Sequence, residues 1–268
     1  PFQTGKRGLY GIPSLNMTAR DFFMTTNFAY SRKSDAWLYV LPKRVASPEP
    51  SMFCSHLLGE LETRRNQMED PYTFRGIREY TYGDTYGKIN WKATAKASKL
   101  MVNMYGYTSE QRVRILLNLE TNIMVKTEYL QEMSIRIAGT IAEYFLQHKV
   151  SVELVSNGID CMTGACERVE AGMSMEHGET IDKYLARIKE NAGIDAFMQM
   201  VDTEIQQMEE PITYVIISPY YKEDLLLKLD YMHKKHPELH MVVPYYDIQD
   251  KTGWRGYMQG VEVKWNEI

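Results

Sequence analysis

Arg112-Val113-Arg114-Ile115-Leu116-Leu117-Asn118-Leu119 is a short apolar run with the length of a central β-strand. The period then changes. Leu130, Met133, Ile137, Ile141 and Phe145 recur at helical spacing, with the small Ala138 and Ala142 on the same side. A long amphipathic helix therefore follows the strand. Ser151-Val152-Glu153-Leu154-Val155 returns to a strand. Cys161 to Gly172, with its glycines and polar residues, reads as a hairpin or loop. Ile181, Tyr184, Leu185 and Ile188 mark a second helix, and Ala196 to Met208 a third. Ile212-Thr213-Tyr214-Val215-Ile216-Ile217 is a fully apolar strand ended by Ser218-Pro219. Leu225, Leu226, Leu229 and Met232 mark a fourth helix, and His240–Pro244 and Val261–Trp265 the last strands. Strands alternating with helices of this length require crossover connections and a mostly parallel sheet. Residues 111–268 thus read as an open, Rossmann-like α/β domain.

The stretch upstream has a different texture. Residues 1–50 are rich in Tyr, Phe, Thr and turn formers. Arg7–Tyr10 and Leu15–Ala19 read as short strands, and Trp37–Leu41 as a buried strand closed by Pro42. So few strands make a poor core alone, and they read as the remainder of a small β-rich domain. Ser47-Pro48-Glu49-Pro50-Ser51 reads as a linker. Residues 51–110 then form a connecting segment, polar and helix-permissive from Phe53 to Asp70.

Composition narrows the function. The chain has 268 residues, 44% hydrophobic and 25% charged, as in an ordinary folded protein of one large or two small domains. A net charge of -4 argues against a general nucleic-acid binder. Cys54, Cys161 and Cys166 are odd in number, which fits a reducing compartment rather than a disulfide framework. No run of eighteen apolar residues is present. Asn16-Met17-Thr18 matches a glycosylation triplet, which a cytosolic chain does not use.

The connecting segment holds the most particular motif, FRGIREYTYGDTYGKINWKATAKASKL from Phe74 to Leu100. Phe74, Arg78, Tyr80, Gly83, Asp84, Lys88, Ile89, Trp91 and Lys92 follow a fixed order there. That order resembles the signature of the bacterial domain of unknown function 58 family: Phe-x-x-x-Arg-x-Tyr-x-x-Gly-Asp, then Arg-x-Ile-x-Trp and a short helix. Lys88 stands where arginine is usual and Asn90 where aspartate is usual. Arg7-Gly8-x-Tyr10 and Leu38–Pro42 resemble further segments of the family.

The resemblance implies a von Willebrand factor A-like fold for the second half. It implies a parent protein anchored in the cell membrane by helices upstream of Pro1, with this region facing the cytoplasm; a first residue that is not Met fits a piece of a longer chain. It also implies a partner, since relatives are commonly encoded beside MoxR-type AAA+ ATPases and transglutaminase-like proteins. The chain is expected to act as an adaptor for such an ATPase in assembling or maturing envelope proteins.

A working von Willebrand factor A domain holds a divalent cation with Asp-x-Ser-x-Ser after its first strand and an aspartate after a later one. The matching positions here are Asn118, Glu120 and Asn122, with Ser218 in place of the later aspartate. One carboxylate lacks the clustered hard oxygen donors that Mg²⁺ needs. The site is expected to be degenerate, with no metal and no cofactor.

Other chemistry finds little support. Gly-x-Ser-x-Gly and His-Glu-x-x-His are absent. Gly83–Lys88 is one residue short of a phosphate loop and has Ile89 where Ser or Thr is required. His233, His236 and His240 are interrupted by Pro237, and read as solvated histidines at a helix end rather than zinc ligands. Cys161 and Cys166 lack a second pair, and Glu209-Glu210 reads as a solvated helix end.

The signature itself supports two readings. In the structural one, Arg75 and Arg78 pair with carboxylates such as Asp84, Gly83 makes the turn, and Trp91 buries its face against the sheet. In the other, Arg78, Lys88 and Lys92 form a docking patch for an acidic partner. Lys92, Lys96 and Lys99 fall at helical spacing, as a solvated stripe does. The expected function is protein–protein interaction without catalysis. The alternatives are a metal-dependent hydrolase using Glu120 and histidines, or a metal-dependent adhesion domain.

Overall fold

The computed structural model describes residues 6–67, 69–107, 111–120, 127–190, 195–207, 212–245 and 253–262. It opens in a hairpin. Strands β1 (Gly8–Arg20) and β2 (Asn27–Val40) pair antiparallel from Gly8↔Val40 to Arg20↔Asn27, with one register shift between Ile12 and Ser14. The Asp21 carboxylate closes the turn by accepting from Thr26 N–H at 3.0 Å and from the Thr25 hydroxyl. The two short strands expected in β1 are one continuous strand. Trp37–Leu41 is not a buried strand: Trp37 is 59% exposed and Leu41 47%. Apolar composition there reflects cross-strand pairing rather than enclosure on both faces.

Helix α1 (Pro48–Gln67) replaces the expected linker at residues 47–51. Pro48 and Pro50 sit in its first turn, where backbone N–H groups have no intrahelical partner and proline's fixed φ suits the helix. Phe53, Cys54, Leu57 and Leu61 form its buried stripe. Strands β3 (Glu69–Glu79) and β4 (Met101–Tyr107) pair antiparallel. Between them lie a 3-10 turn (Tyr86–Lys88) and helix α2 (Trp91–Ala97). Asn90 caps α2: its Oδ1 accepts from Ala93 N–H at 2.9 Å while its Nδ2 donates to Asn103 Oδ1 at 2.7 Å.

The α/β part runs β5 (Arg112–Leu117), α3 (Thr127–Gln147), β6 (Ser151–Ser156), β7 (Ile159–Asp160), β8 (Arg168–Gly172), α4 (Met175–Arg187), β9 (Ile188–Lys189), α5 (Ala196–Gln206), β10 (Ile212–Ile217), α6 (Glu223–Lys235), β11 (Leu239–Tyr245) and β12 (Met258–Glu262). Six strands form one sheet in the order β12-β11-β10-β5-β6-β8. All pairs are parallel except β6 with β8. This is a mixed α/β architecture compatible with a Rossmann-like fold. β6 and β10 are buried along their whole length, and β10 reads as a continuous apolar run for that reason. Leu116, Tyr214, Ile216 and Met241 meet Phe197 and Val201 of α5 and Leu225, Leu229 and Met232 of α6. The loop expected at 161–172 ends in the edge strand β8. The strand expected at Val261–Trp265 begins earlier, at Met258, and its positions beyond Glu262 lie outside the described residues.

The chain divides into two compact units, residues 1–51 with 112–268, and residues 52–111. The hairpin therefore belongs with the α/β part, whereas the sequence reading set residues 1–50 apart. Arg7 joins them: Nε meets Glu132 Oε2 at 2.7 Å, and Nη1 donates to the carbonyls of Leu185 and Ile188 at 2.8 Å each. A guanidinium suits those carbonyls because they lie at the negative end of α4. Arg44 bridges Glu143 of α3 and Asp182 of α4, and Val45 N–H donates to Thr140 Oγ1 at 3.0 Å.

Candidate functional site

The crevice at the carboxyl ends of the parallel strands follows from register. Leu117 pairs with Ser156 on one side and Ile217 on the other, so the next residue of each strand lands in one place. These are Asn118, Asn157 and Ser218, which are 2%, 3% and 0% exposed. Asn118 Nδ2 donates to Ser218 Oγ at 2.9 Å. Asn118 Oδ1 accepts from Glu120 N–H at 3.0 Å and from Asn157 Nδ2 at 3.2 Å. Asn157 Oδ1 accepts from Leu119 N–H at 2.7 Å. Ser218 Oγ donates to Tyr220 O at 2.8 Å and accepts from Tyr220 N–H at 3.0 Å. A carboxylate at position 118 cannot donate to Ser218, so the amide is what ties this network.

Glu120 points elsewhere. Its carboxylate lies near the backbone N–H groups of Phe197 and Ala196, at the start of α5, and its buried Oε1 has no hydrogen-bond partner among the described residues. Asp195 occupies the cap position of that helix in a left-handed conformation, φ 60°, and gives no side-chain cap bond. Burial raises the Glu120 pKa, opposed by those two N–H groups. Asn118 and Ser218 are thus brought together, Glu120 lies by the start of α5, and Asn122 lies outside the described residues. Among the described residues no group of three or more His, Cys, Asp or Glu is placed to hold a metal ion. Asn157 was missed by sequence reasoning. Its signal was its place one residue after β6, matching that of Asn118 after β5.

A second buried polar group was also missed. Arg114 and Glu153 are paired across β5 and β6, and Tyr214 lies opposite Arg114 on the other side. Arg114 Nε meets Glu153 Oε2 at 2.7 Å and its Nη1 meets Glu204 Oε2 at 2.6 Å. Arg168 closes the ring by bonding the other oxygen of each carboxylate. Two arginines and two glutamates thus alternate in a cycle, with the Arg114 guanidinium 5.7 Å from the Tyr214 ring centre.

The signature folds on itself. Arg78 forks onto Asp84, Nη1 to Oδ2 at 2.7 Å and Nη2 to Oδ1 at 2.6 Å. Thr81 N–H also donates to Asp84, at 2.8 Å, and Gly83 supplies the turn at φ 118°. The Arg78 guanidinium beside it, foremost, holds the Asp84 carboxyl well below the usual carboxylate range. The Tyr80 and Tyr86 rings stack with centres 6.1 Å apart. Trp91 corrects the expectation that it buries its face: it is 68% exposed, beside Tyr86 at 75% and Tyr82 fully in solvent. Asn90 starts α2 immediately before it, which places Trp91 on the first turn facing outward. Arg75 and Lys92 are exposed and Lys88 half-buried. Lys99 pairs with Glu79 at 3.0 Å.

Two of the three histidines belong to one helix and the third to a strand. His233 is on α6 with its ring 4.9 Å from that of Tyr257, His236 ends that helix, and His240 is on β11. Cys161 and Cys166 are exposed, while burial pushes the Cys54 thiol up to about 12. Glu209-Glu210 lies outside the described residues. A hollow of about 1150 Å³ at the root of the hairpin is lined by Leu9, Trp37, Ile135 and several cations. Arg7 and Arg187 there are already paired with Glu132 and Asp160. In comparisons with known proteins, no family model and no curated protein matches the chain.

Proposed function

We propose that this chain is a non-catalytic protein-binding module that docks through the signature of residues 74–100. The observation that carries the reading is a solvent-facing aromatic group, Tyr82, Tyr86 and Trp91, set around a turn fixed by the Arg78–Asp84 fork. Trp, Tyr and Arg are the residues that dominate binding energy in protein interfaces. A fixed turn lowers the ordering cost of binding. Lys88, Lys92 and Lys96 lie in the same stretch of chain, which favours an acidic partner surface. The von Willebrand factor A-like reading of the α/β part is supported by its sheet and by the position of Asn118 and Ser218 at the crevice. In that reading the ion cage is replaced by the Asn118–Ser218–Asn157 network. The partner implied by the family resemblance is a MoxR-type AAA+ ATPase at the cytoplasmic face of the membrane.

Immobilised ATPase from the same genome tests this. Capture of the chain is expected to fall more than tenfold in Trp91→Ala and in the triple variant Arg78→Ala, Lys88→Ala, Lys92→Ala. Equal capture of all versions sinks the docking assignment. Calorimetric titration with Mg²⁺ and Mn²⁺ is expected to give no heat of specific binding. A tight site lost in Glu120→Ala would replace this proposal with a metal-dependent one.

A further inference from the structure

The hairpin has two unlike faces. Side chains alternate across a strand, so register sorts them. Met17 pairs with Tyr30, Leu15 with Arg32 and Ala19 with Phe28, all on one face. Trp37 joins them over Gly11, where a Cβ would lie 3.2 Å from its ring. The opposite face of the outer half carries Ser14, Asn16, Thr18, Ser31 and Lys33, and there Ser31 Oγ bonds Asn16 Oδ1 at 2.6 Å. Leu15, Met17, Phe28, Tyr30 and Trp37 are each more than half exposed.

We infer that the apolar face is a self-association surface, and that its occupant is the same face of a second copy. Three arguments select that occupant. A lone two-stranded ribbon is marginal in water, and two of them stacked make a two-layer, four-stranded unit with an apolar interior. The face is self-complementary: it is apolar throughout apart from Arg32, so a two-fold axis brings like onto like without opposing acidic and basic patches. The area suffices. At roughly 150–250 Å² for a whole aromatic side chain, the five residues offer on the order of 500 Å² a copy. A pair then covers about 1,000 Å², the least that a specific interface requires. The tip carries Phe22, Phe23 and Met24, each more than three-quarters exposed, but the sorted apolar face continues down the ribbon from the Ala19–Phe28 pair to the Gly11–Trp37 pair, over about 27 Å at 3.4 Å per residue, a length that a second ribbon covers and an inserted tip does not.

Sedimentation equilibrium of the 268-residue chain tests the inference. The wild type is expected at twice the chain mass, and Met17→Lys with Tyr30→Glu at the single mass with an unchanged far-UV spectrum. The tip variant Phe22→Ser with Phe23→Ser is expected to stay dimeric. Amide exchange at residues 14–19 and 28–32 is expected to slow as concentration rises. A wild type that stays monomeric overturns the inference, as does a dimer that survives Met17→Lys with Tyr30→Glu. So does a monomer that co-sediments with phosphatidylglycerol vesicles through Phe22 and Phe23, which would assign the ribbon to a membrane.

Discussion

Arg114 shows what one residue reveals and hides. It stands in an apolar run that becomes the central strand, and a guanidinium there is tolerated only when paired. Its partners Glu153 and Glu204 are distant in the chain and become neighbours only through strand register and the seating of α5. Periodicity could therefore find the strand but not the cycle. Arg114→Met leaves two buried carboxylates with one arginine between them, and is expected to cost about 3–5 kcal/mol in a urea titration. Asp84 gives a second prediction. Its folded pKa lies below the ordinary value of ~3.9, so its contribution is present above that value and is lost as pH falls through the lower, folded one. The Asp84 carboxyl carbon is expected to show no titration by NMR from pH 7 down to about 4, whereas Arg78→Ala raises its midpoint toward ~3.9, the Thr81 bonds still holding it below.

Elements were the most legible level. The parallel strands of the sheet and helices α3, α4 and α6 lie within a few residues of their hydrophobic periods, because buried strands and one-sided helices advertise themselves in composition, whereas the antiparallel edge strand β8 falls in a stretch that reads as a hairpin or loop. Two errors share a cause. The prolines of α1 and the aromatic run of β2 were assigned by residue type, when position decided: proline is harmless in a first helical turn, and aromatics also populate an open ribbon. The crevice was half legible. Asn118 and Ser218 follow from strand ends, but the role of Glu120 depends on where α5 begins. Glu120→Ala removes a carboxylate that lies at the start of α5, and any change in amide exchange is expected to be confined to Ala196 and Phe197.

At the scale of the whole molecule, the union of residues 1–51 with 112–268 was not visible in sequence, because the two stretches are separated by the segment set apart at 51–110. The smaller unit rests on a short list of buried side chains, among them Phe53, Cys54, Leu57, Leu61, Ile89 and Val102. Sixty-residue units of this kind are marginal. Heating is expected to give two transitions, the lower one in residues 52–111. Thiol labelling reads this directly: Cys161 and Cys166 react in the native state, and Cys54 reacts only at the lower transition, before β-sheet signal is lost. A single transition for both signals would show the units to be coupled.

The strand order also sets a timetable for synthesis. β5 is made first yet ends up in the middle, and its neighbour β10 is made last of the two that flank it. At about 5–20 residues per second, the interval between Leu117 and Ile212 leaves one side of the nascent centre strand unpaired for on the order of 5–20 s on the ribosome. An apolar strand with a bare edge invites mispairing for that whole interval. Rare codons or a slow chaperone between those two strands should therefore lower the yield of native protein more than the same delay placed after β11.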